Sequence, residues 1–175
     1  MRKIVLTYGL IAGSIMSLVF LVMLGIFGCD HMESGMIIGY TTMILAFTLV
    51  FFGTRNYRDN IRNGVISFGR AFGVGLLISL VASVIYVIAW MIFQHFIMPD
   101  FYQQYANDMI NTAKASGASV SELQAKQTEM NSMIEMVKNP VVVFFYTLLE
   151  PLPPGILVTL VSAFIVKKKT APALE

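Results

Sequence analysis

Four long apolar runs, separated by polar stretches, dominate the hydrophobic pattern of this chain. The runs cover residues 4–27, 35–53, 71–98 and 140–166. A helix needs about 20 consecutive apolar residues to cross the roughly 30 Å hydrocarbon core of a bilayer. Each run approaches or exceeds that length, so the pattern predicts an all-α membrane protein with four transmembrane helices.

Residues 100–138 form the one polar stretch of any length, and apolar residues recur within it at helical spacing. Ser116 and Gly117 interrupt that spacing. Ser119 and Glu122 then match a capping box, in which each of two side chains at the start of a helix accepts a hydrogen bond from the backbone amide of the other residue. We therefore predict a helical hairpin between the third and fourth spans.

The polar stretch between the second and third spans has a different character. Residues 55–70 are basic and rich in Asn and Gly, which is typical of a loop. We expect residues 1–169 to form a single membrane domain and residues 170–175 to form a tail.

The fourth run is interrupted by an acid, three prolines and a glycine: Glu150, Pro151, Pro153, Pro154 and Gly155. Proline lacks an amide proton and disfavours the helical conformation of the residue before it. The sequence therefore predicts that the fourth helix is broken over residues 150–155. As a helix, residues 155–166 rise about 18 Å, and the broken piece adds about 10 Å if it is extended. Glu150 is then expected roughly 25–28 Å from the inner boundary, in the outer third of the hydrocarbon.

The composition agrees with a membrane class, since 57% of the residues are hydrophobic and 13% are charged. Its single cysteine, Cys29, excludes an intrachain disulfide. The sequence shows neither a nucleotide-binding glycine loop nor a nucleic-acid motif, so we expect no cofactor and no nucleic-acid partner.

Basic residues are distributed unequally over the two predicted sides of the membrane. Three lie in the hairpin, and the other nine are Arg2, Lys3, Arg55, Arg58, Arg62, Arg70, Lys167, Lys168 and Lys169. Loops that carry excess Lys and Arg stay cytoplasmic. We expect both termini to be cytoplasmic and the hairpin to be extracytoplasmic.

Two stretches carry a resemblance to a known family. Residues 53–59 with 64–75, and residues 150–155 with the positions that follow to Lys167, resemble the four-span bacterial membrane family catalogued as domain of unknown function 4199. The resemblance covers nearly the whole chain. It implies an inner-membrane protein of a Gram-negative bacterium, and it supplies no activity, cofactor or catalytic residue. In such a membrane, the hairpin that the charges place outside the cytoplasm would be periplasmic.

Glu150 is the first candidate site, and two interpretations of it stay open. Broken spans beside an acid build ion sites in transporters, with freed carbonyls facing protein or a wet cavity. Alternatively, Pro154 begins a new helix, and Glu150 sits ahead of it, where the helix dipole favours an anion.

The remaining candidates also carry two interpretations each. The arginines Arg55, Arg58, Arg62 and Arg70 contact lipid headgroups or only set topology. The small residues Gly9, Gly13 and Ser17 in the first span, and Gly75, Ser79 and Ser83 in the third, pack helices within the chain or between copies. Cys29, Asp30, His31 and Glu33, with His95, are metal-ligating types but lack the spacing of a zinc site, so we predict no metal.

The sequence favours an integral membrane protein without enzymatic activity, with a structural or partner-binding role. Its partners would be the lipid bilayer, a second copy, or another membrane or periplasmic protein. The alternative is a small oligomeric transporter or channel subunit that uses Glu150 and the broken fourth span.

Overall fold

The computed structural model describes residues 1–27 and 32–168, apart from the side chains at positions 26, 27 and 32–36. The polar turn with Cys29, Asp30 and His31 lies outside the described residues, as do Lys169 and the tail 170–175. Seven α-helices occur in the described part of the chain: α1 Arg2–Phe27, α2 Met32–Ile61, α3 Phe68–Phe96, α4 Phe101–Ala115, α5 Val120–Val137, α6 Pro140–Leu148 and α7 Leu152–Val166.

Four apolar segments of this helical fold are long enough to cross a membrane. They are α1 over Arg2–Gly25, α2 over Ile37–Ile61, all of α3, and α6 with α7 over Pro140–Val166. The chain is therefore an integral membrane protein, and the predicted all-α fold with four spans is confirmed. We call the end where α1 and α3 begin the basic end, and the opposite end the hairpin end.

Close backbone approach between α1 and α3 organises the bundle. A Cβ atom added at Gly9 would lie 2.7 Å from Val81, and one at Gly13 would lie 2.7 Å from the carbonyl oxygen of Ala82. Ser17 occupies the same stripe and donates a hydrogen bond to the carbonyl of Gly13 at 2.7 Å. Small residues thus let the backbones of these two helices come into contact, and such close packing stabilises helix association in lipid.

The predicted loop over residues 55–70 is wrong in its first half. Helix α2 continues to Ile61, so Arg55 and Arg58 are helical, and the turn is confined to Asn63 and Gly64, whose φ angles are 50° and 81°. Polar residues extend a helix readily where it leaves the bilayer, because water replaces lipid around their side chains. The polar composition that begins at Arg55 therefore marks the point where α2 leaves the membrane, not the point where the helix ends.

The interruption of the fourth span is confirmed and is shorter than predicted. Helix α6 ends at Leu148 and α7 begins at Leu152, so residues 149–151 form a compact turn rather than an extended piece. Pro153 and Pro154 lie in the first turn of α7, where no intrahelical amide is required. The amide of Gly155 donates to the carbonyl of Pro151 at 3.0 Å and starts the regular ladder.

The polar stretch folds as two helices that pack together through Ala106, Ile110 and Met130. The predicted capping box is present: the Ser119 amide donates to the Glu122 carboxylate at 2.7 Å, and the Glu122 amide donates to the Ser119 hydroxyl. The Ser119 hydroxyl also donates to the Glu122 carboxylate at 2.7 Å, and this bond, followed by the one from the Ser119 amide, holds the pKa of the Glu122 carboxyl below its usual value.

Candidate functional site at the break of the fourth span

Glu150 lies in the turn between α6 and α7, and its carboxylate is paired with a tyrosine of α3. The Tyr86 hydroxyl donates to Glu150 Oε2 at 3.3 Å. Tyr86 is 2% exposed and packs edge-to-face against Phe20 of α1 at 5.6 Å between ring centroids. A rigid, buried donor therefore holds one side of the carboxylate, and the rest of Glu150 is exposed at the surface of the bundle.

Helix lengths fix the depth of this pair. Arg70 and Trp90 are about 30 Å apart along α3 at 1.5 Å per residue, which matches the hydrocarbon thickness. Tyr86 is then about 24 Å from Arg70, and Glu150 is about 25 Å from Lys167 along α7. The two independent counts agree, so the Glu150–Tyr86 contact lies just inside the boundary at the hairpin end.

An aromatic cluster marks that boundary. Trp90 packs against Phe20 at 5.3 Å and against Phe101 at 4.7 Å between centroids, and it also contacts Tyr102. Burial raises the pKa of the Tyr102 hydroxyl, hydrogen bonding from Trp90 partly opposes the shift, and nearby Tyr146 adds to it. Tyr146 is four residues, or about 6 Å, beyond Glu150, just as Trp90 is four residues beyond Tyr86, so Tyr146 is at the level of Trp90, as expected for an aromatic belt.

Helix α6 presents an apolar face that no described element covers. Val143 and Thr147 point into the bundle, whereas the opposite side is exposed. We define the outward face of α6 as Val141, Val142, Phe145, Tyr146 and Leu149. This face begins at Leu149, beside Glu150 and just inside the boundary, passes Tyr146 at the level of Trp90, and continues toward the hairpin to Val141.

Buried hydroxyls connect the spans below Glu150. The hydroxyls of Ser79 and Thr159 are 3.0 Å apart, and Ser79 also approaches the carbonyl of Gly155 at 3.4 Å. Ser83 donates to the carbonyl of Ser79. The fully buried Thr54 hydroxyl has no hydrogen-bond partner among the described residues. Interhelical hydroxyl contacts of this kind hold α3 and α7 together.

The four arginines at the basic end have different surroundings. Arg58 donates to both carboxylate oxygens of Asp59, at 2.6 and 3.1 Å, and to the carbonyl of Val166 at 3.1 Å. Arg55 shares the same carboxylate at 3.6 Å. Arg62 and Arg70 form no ion pair with any described residue.

Gly75 places the third span against its neighbours in the same way that Gly13 places the first. A Cβ atom at Gly75 would lie 2.9 Å from Thr159 and 3.0 Å from Val50.

Among the described residues, no three His, Cys, Asp or Glu side chains come together as a metal site. The sequence pattern had not identified Tyr86 as the partner of Glu150 or the outward face of α6, because both depend on how α3 and α6 align.

Comparisons with known proteins support a family assignment. Searches of curated proteins and of solved structures gave no match. A family model described as a protein of unknown function, DUF4199, matches residues 7–168, which is most of the chain. The sequence resemblance is thereby confirmed, and the chain belongs to the DUF4199 family of proteins of unknown function.

Proposed function

We propose that this protein is a non-enzymatic, structural membrane protein that self-associates through the outward face of α6. The observation that carries the proposal is the position of that face. Val141 is five residues, or about 7 Å, beyond Tyr146 along α6, so it lies outside the hydrocarbon when Tyr146 is at the boundary. Apolar side chains beyond the hydrocarbon are exposed to water unless another protein surface packs against them.

Tilting the bundle does not remove this requirement. A tilt of about 20°, which is typical of membrane spans, shortens a helix by only about 6% along the bilayer normal. Val141 and Phe145 are both 60% exposed, so neither is covered within the chain. Contiguous exposed apolar surface outside the lipid is characteristic of an interaction site.

A second copy fits this surface because the outward face carries no charge. In a twofold dimer the same patch meets itself, so any charge on it would meet a like charge. Glu150, which follows Leu149 at one end of the face, accepts a hydrogen bond from Tyr86 of α3. Glu135 and Lys138, which precede the other end, are paired with each other at 2.6 Å. Two α6 helices can therefore pack without electrostatic repulsion.

Glu150 supports a structural role for the same region. Its partner is a tyrosine hydroxyl rather than a base or a nucleophile. The contact joins the turn of the fourth span to α3 and so fixes the orientation of α6.

Cross-linking in native membranes tests the proposal. Phe145→Cys, in a Cys29→Ser background, is treated with a short bis-maleimide, and Leu18→Cys is the matched control. Leu18 is 65% exposed on α1, so it is as accessible as Phe145 but lies on a different helix. We expect Phe145→Cys to give a product of twice the chain mass and Leu18→Cys to give monomer.

Two results would contradict self-association through α6. One is equal dimer yield from both cysteines, which indicates random collision. The other is a Phe145→Cys product of a different mass, which indicates a different protein as the partner.

We also propose that the protein resides in a bacterial inner membrane with both termini cytoplasmic and the hairpin periplasmic. The support is the charge distribution: the described part of the basic end has eight basic residues and one acid, Asp59. A membrane-impermeant maleimide should label Ser116→Cys in spheroplasts, whereas labelling confined to inverted vesicles would reverse the topology.

Transport is the second candidate function, and the buried hydroxyls of Ser79, Thr159 and Thr54, which lie between Glu150 and the basic end, favour it. In this version, Glu150 accepts a proton or a cation. Flux assays in proteoliposomes compare the wild type with Glu150→Gln. Flux that Glu150→Gln abolishes would establish transport, and wild-type flux no higher than that of empty liposomes would reject it.

A further inference from the structure

A groove at the basic end opens beside Arg70. Its lining consists of Met1, Tyr57, Ser67, Arg70, Gly73, Val74, Leu76 and Leu77, and its volume is about 760 Å³. The groove lies between α2 and the first three turns of α3, at the opposite end of the molecule from the outward face of α6.

The lining is polar at one end and apolar at the other. Arg70 and Ser67 are at the start of α3, and the Ser67 side chain makes no capping hydrogen bond to that helix. Leu77 is seven residues further along α3, or about 10 Å deeper toward the hydrocarbon. Gly73, between them, has no heavy atom within 4 Å of where a Cβ would be, so the middle of the groove is open.

The charge at this end of the groove is uncompensated. The nearest acid, Asp59, is occupied by Arg58 and Arg55. Arg70 has no ion-pair partner among the described residues, and the groove lining contains no carboxylate. A guanidinium at the membrane boundary is well suited to a phosphate, because its donors match phosphate oxygens in geometry.

We propose that this groove binds one anionic phospholipid. Its phosphate pairs with Arg70 and accepts from Ser67, and one acyl chain follows Gly73, Val74 and Leu77. A lone phosphate would leave the apolar half unfilled, and a neutral lipid would gain less from the basic end, where each cation attracts anionic headgroups. This inference is independent of the proposed self-association, because it concerns the other end of the bundle.

Native mass spectrometry of the purified full chain tests the site. The protein is mixed with phosphatidylglycerol and phosphatidylcholine of identical acyl chains, and lipid adducts are counted. We expect one phosphatidylglycerol adduct in preference to phosphatidylcholine. Arg70→Gln should weaken it about fivefold or more, whereas Arg62→Gln, an unpaired arginine outside the groove, should change it less than twofold.

A second pair of variants tests the apolar half. Gly73→Leu fills the groove, and Gly25→Leu adds the same side chain at another open helical glycine. Loss of the adduct in Gly73→Leu with retention in Gly25→Leu supports the site. Circular dichroism verifies that each variant is folded.

Several results would overturn the proposal. Equal losses in Arg70→Gln and Arg62→Gln indicate diffuse attraction to the basic end. Equal phosphatidylcholine binding removes the role of charge. Displacement by free glycerol phosphate at the affinity of the lipid, or an unchanged adduct in Gly73→Leu, shows that no acyl chain occupies the groove.

Discussion

The contact between Gly13 and α3 provides the sharpest test of the packing. Gly13→Ala places a methyl group 2.7 Å from the carbonyl oxygen of Ala82 and 2.8 Å from Cβ of Ile85. Ordinary van der Waals contact requires at least about 3.4 Å, and a helix backbone cannot rotate away as a flexible side chain does. Helices α1 and α3 must therefore separate by several tenths of an ångström along their interface.

The energetic cost is isolated by a matched substitution. Gly25→Ala, on the same helix, meets no heavy atom within 4 Å. Both variants gain the same helix propensity, about 1 kcal/mol in water, so the difference between them reports the steric clash. Overpacking a well-packed core costs about 1–3 kcal/mol, which is the expected difference in the free energy of unfolding.

The assay is unfolding of the purified protein by SDS in mixed micelles, followed by tryptophan fluorescence. The chain has a single tryptophan, Trp90, which is 6% exposed and packed against Phe20 of α1, so its emission reports on this interface. If Gly13→Ala and Gly25→Ala unfold within 0.5 kcal/mol of one another, on the scale of the overpacking cost, the close approach of α1 to α3 is refuted.

Three further substitutions test local contacts. Hydrogen bonds from Ser119 lower the pKa of Glu122, so the Glu122 carboxylate stabilises the start of α5 fully above its unfolded pKa, and this stabilisation is lost as the pH falls through the lowered pKa. Hydrogen exchange of the first turn of α5 should therefore accelerate at low pH in the wild type, and Glu122→Gln should remove that pH dependence. Tyr86→Phe removes the donor to Glu150 and should reduce the free energy of unfolding by about 0.5–1.5 kcal/mol in the SDS assay. Arg58→Gln, at a side chain 18% exposed, removes the cap of α7 and should cost about 1–3 kcal/mol in that assay, with increased exchange confined to the basic end.

Local signals made much of the fold predictable. Span length alone gives the four membrane helices, and the capping box of Ser119 and Glu122 is read within four residues. The prolines locate the interruption of the fourth span near Glu150, because a missing amide proton acts on the helix that contains it. Each of these features depends on residues that are close in sequence.

Features that depend on alignment between helices could not be predicted. The pairing of Tyr86 with Glu150 joins positions 64 residues apart, and no sequence pattern fixes the axial shift of α3 against the fourth span. The continuation of α2 through Arg55 to Ile61 was missed because polar composition is common to loops and to helices that project into water. Arg58 likewise differs from Arg70 because its side chain is hydrogen-bonded to Asp59 and to the carbonyl of Val166, and the contact with Val166 is visible only in the folded structure.

The inter-label distance at position 141 tests self-association through α6 most directly. Val141→Cys and the control Leu18→Cys, both in a Cys29→Ser background, are spin-labelled, reconstituted into lipid bilayers and measured by double electron–electron resonance. The proposed interface predicts a narrow distance distribution for Val141 and a broad, uncorrelated background for Leu18. A background signal at Val141, or a narrow distribution at Leu18 alone, would contradict an interface formed by the outward face of α6.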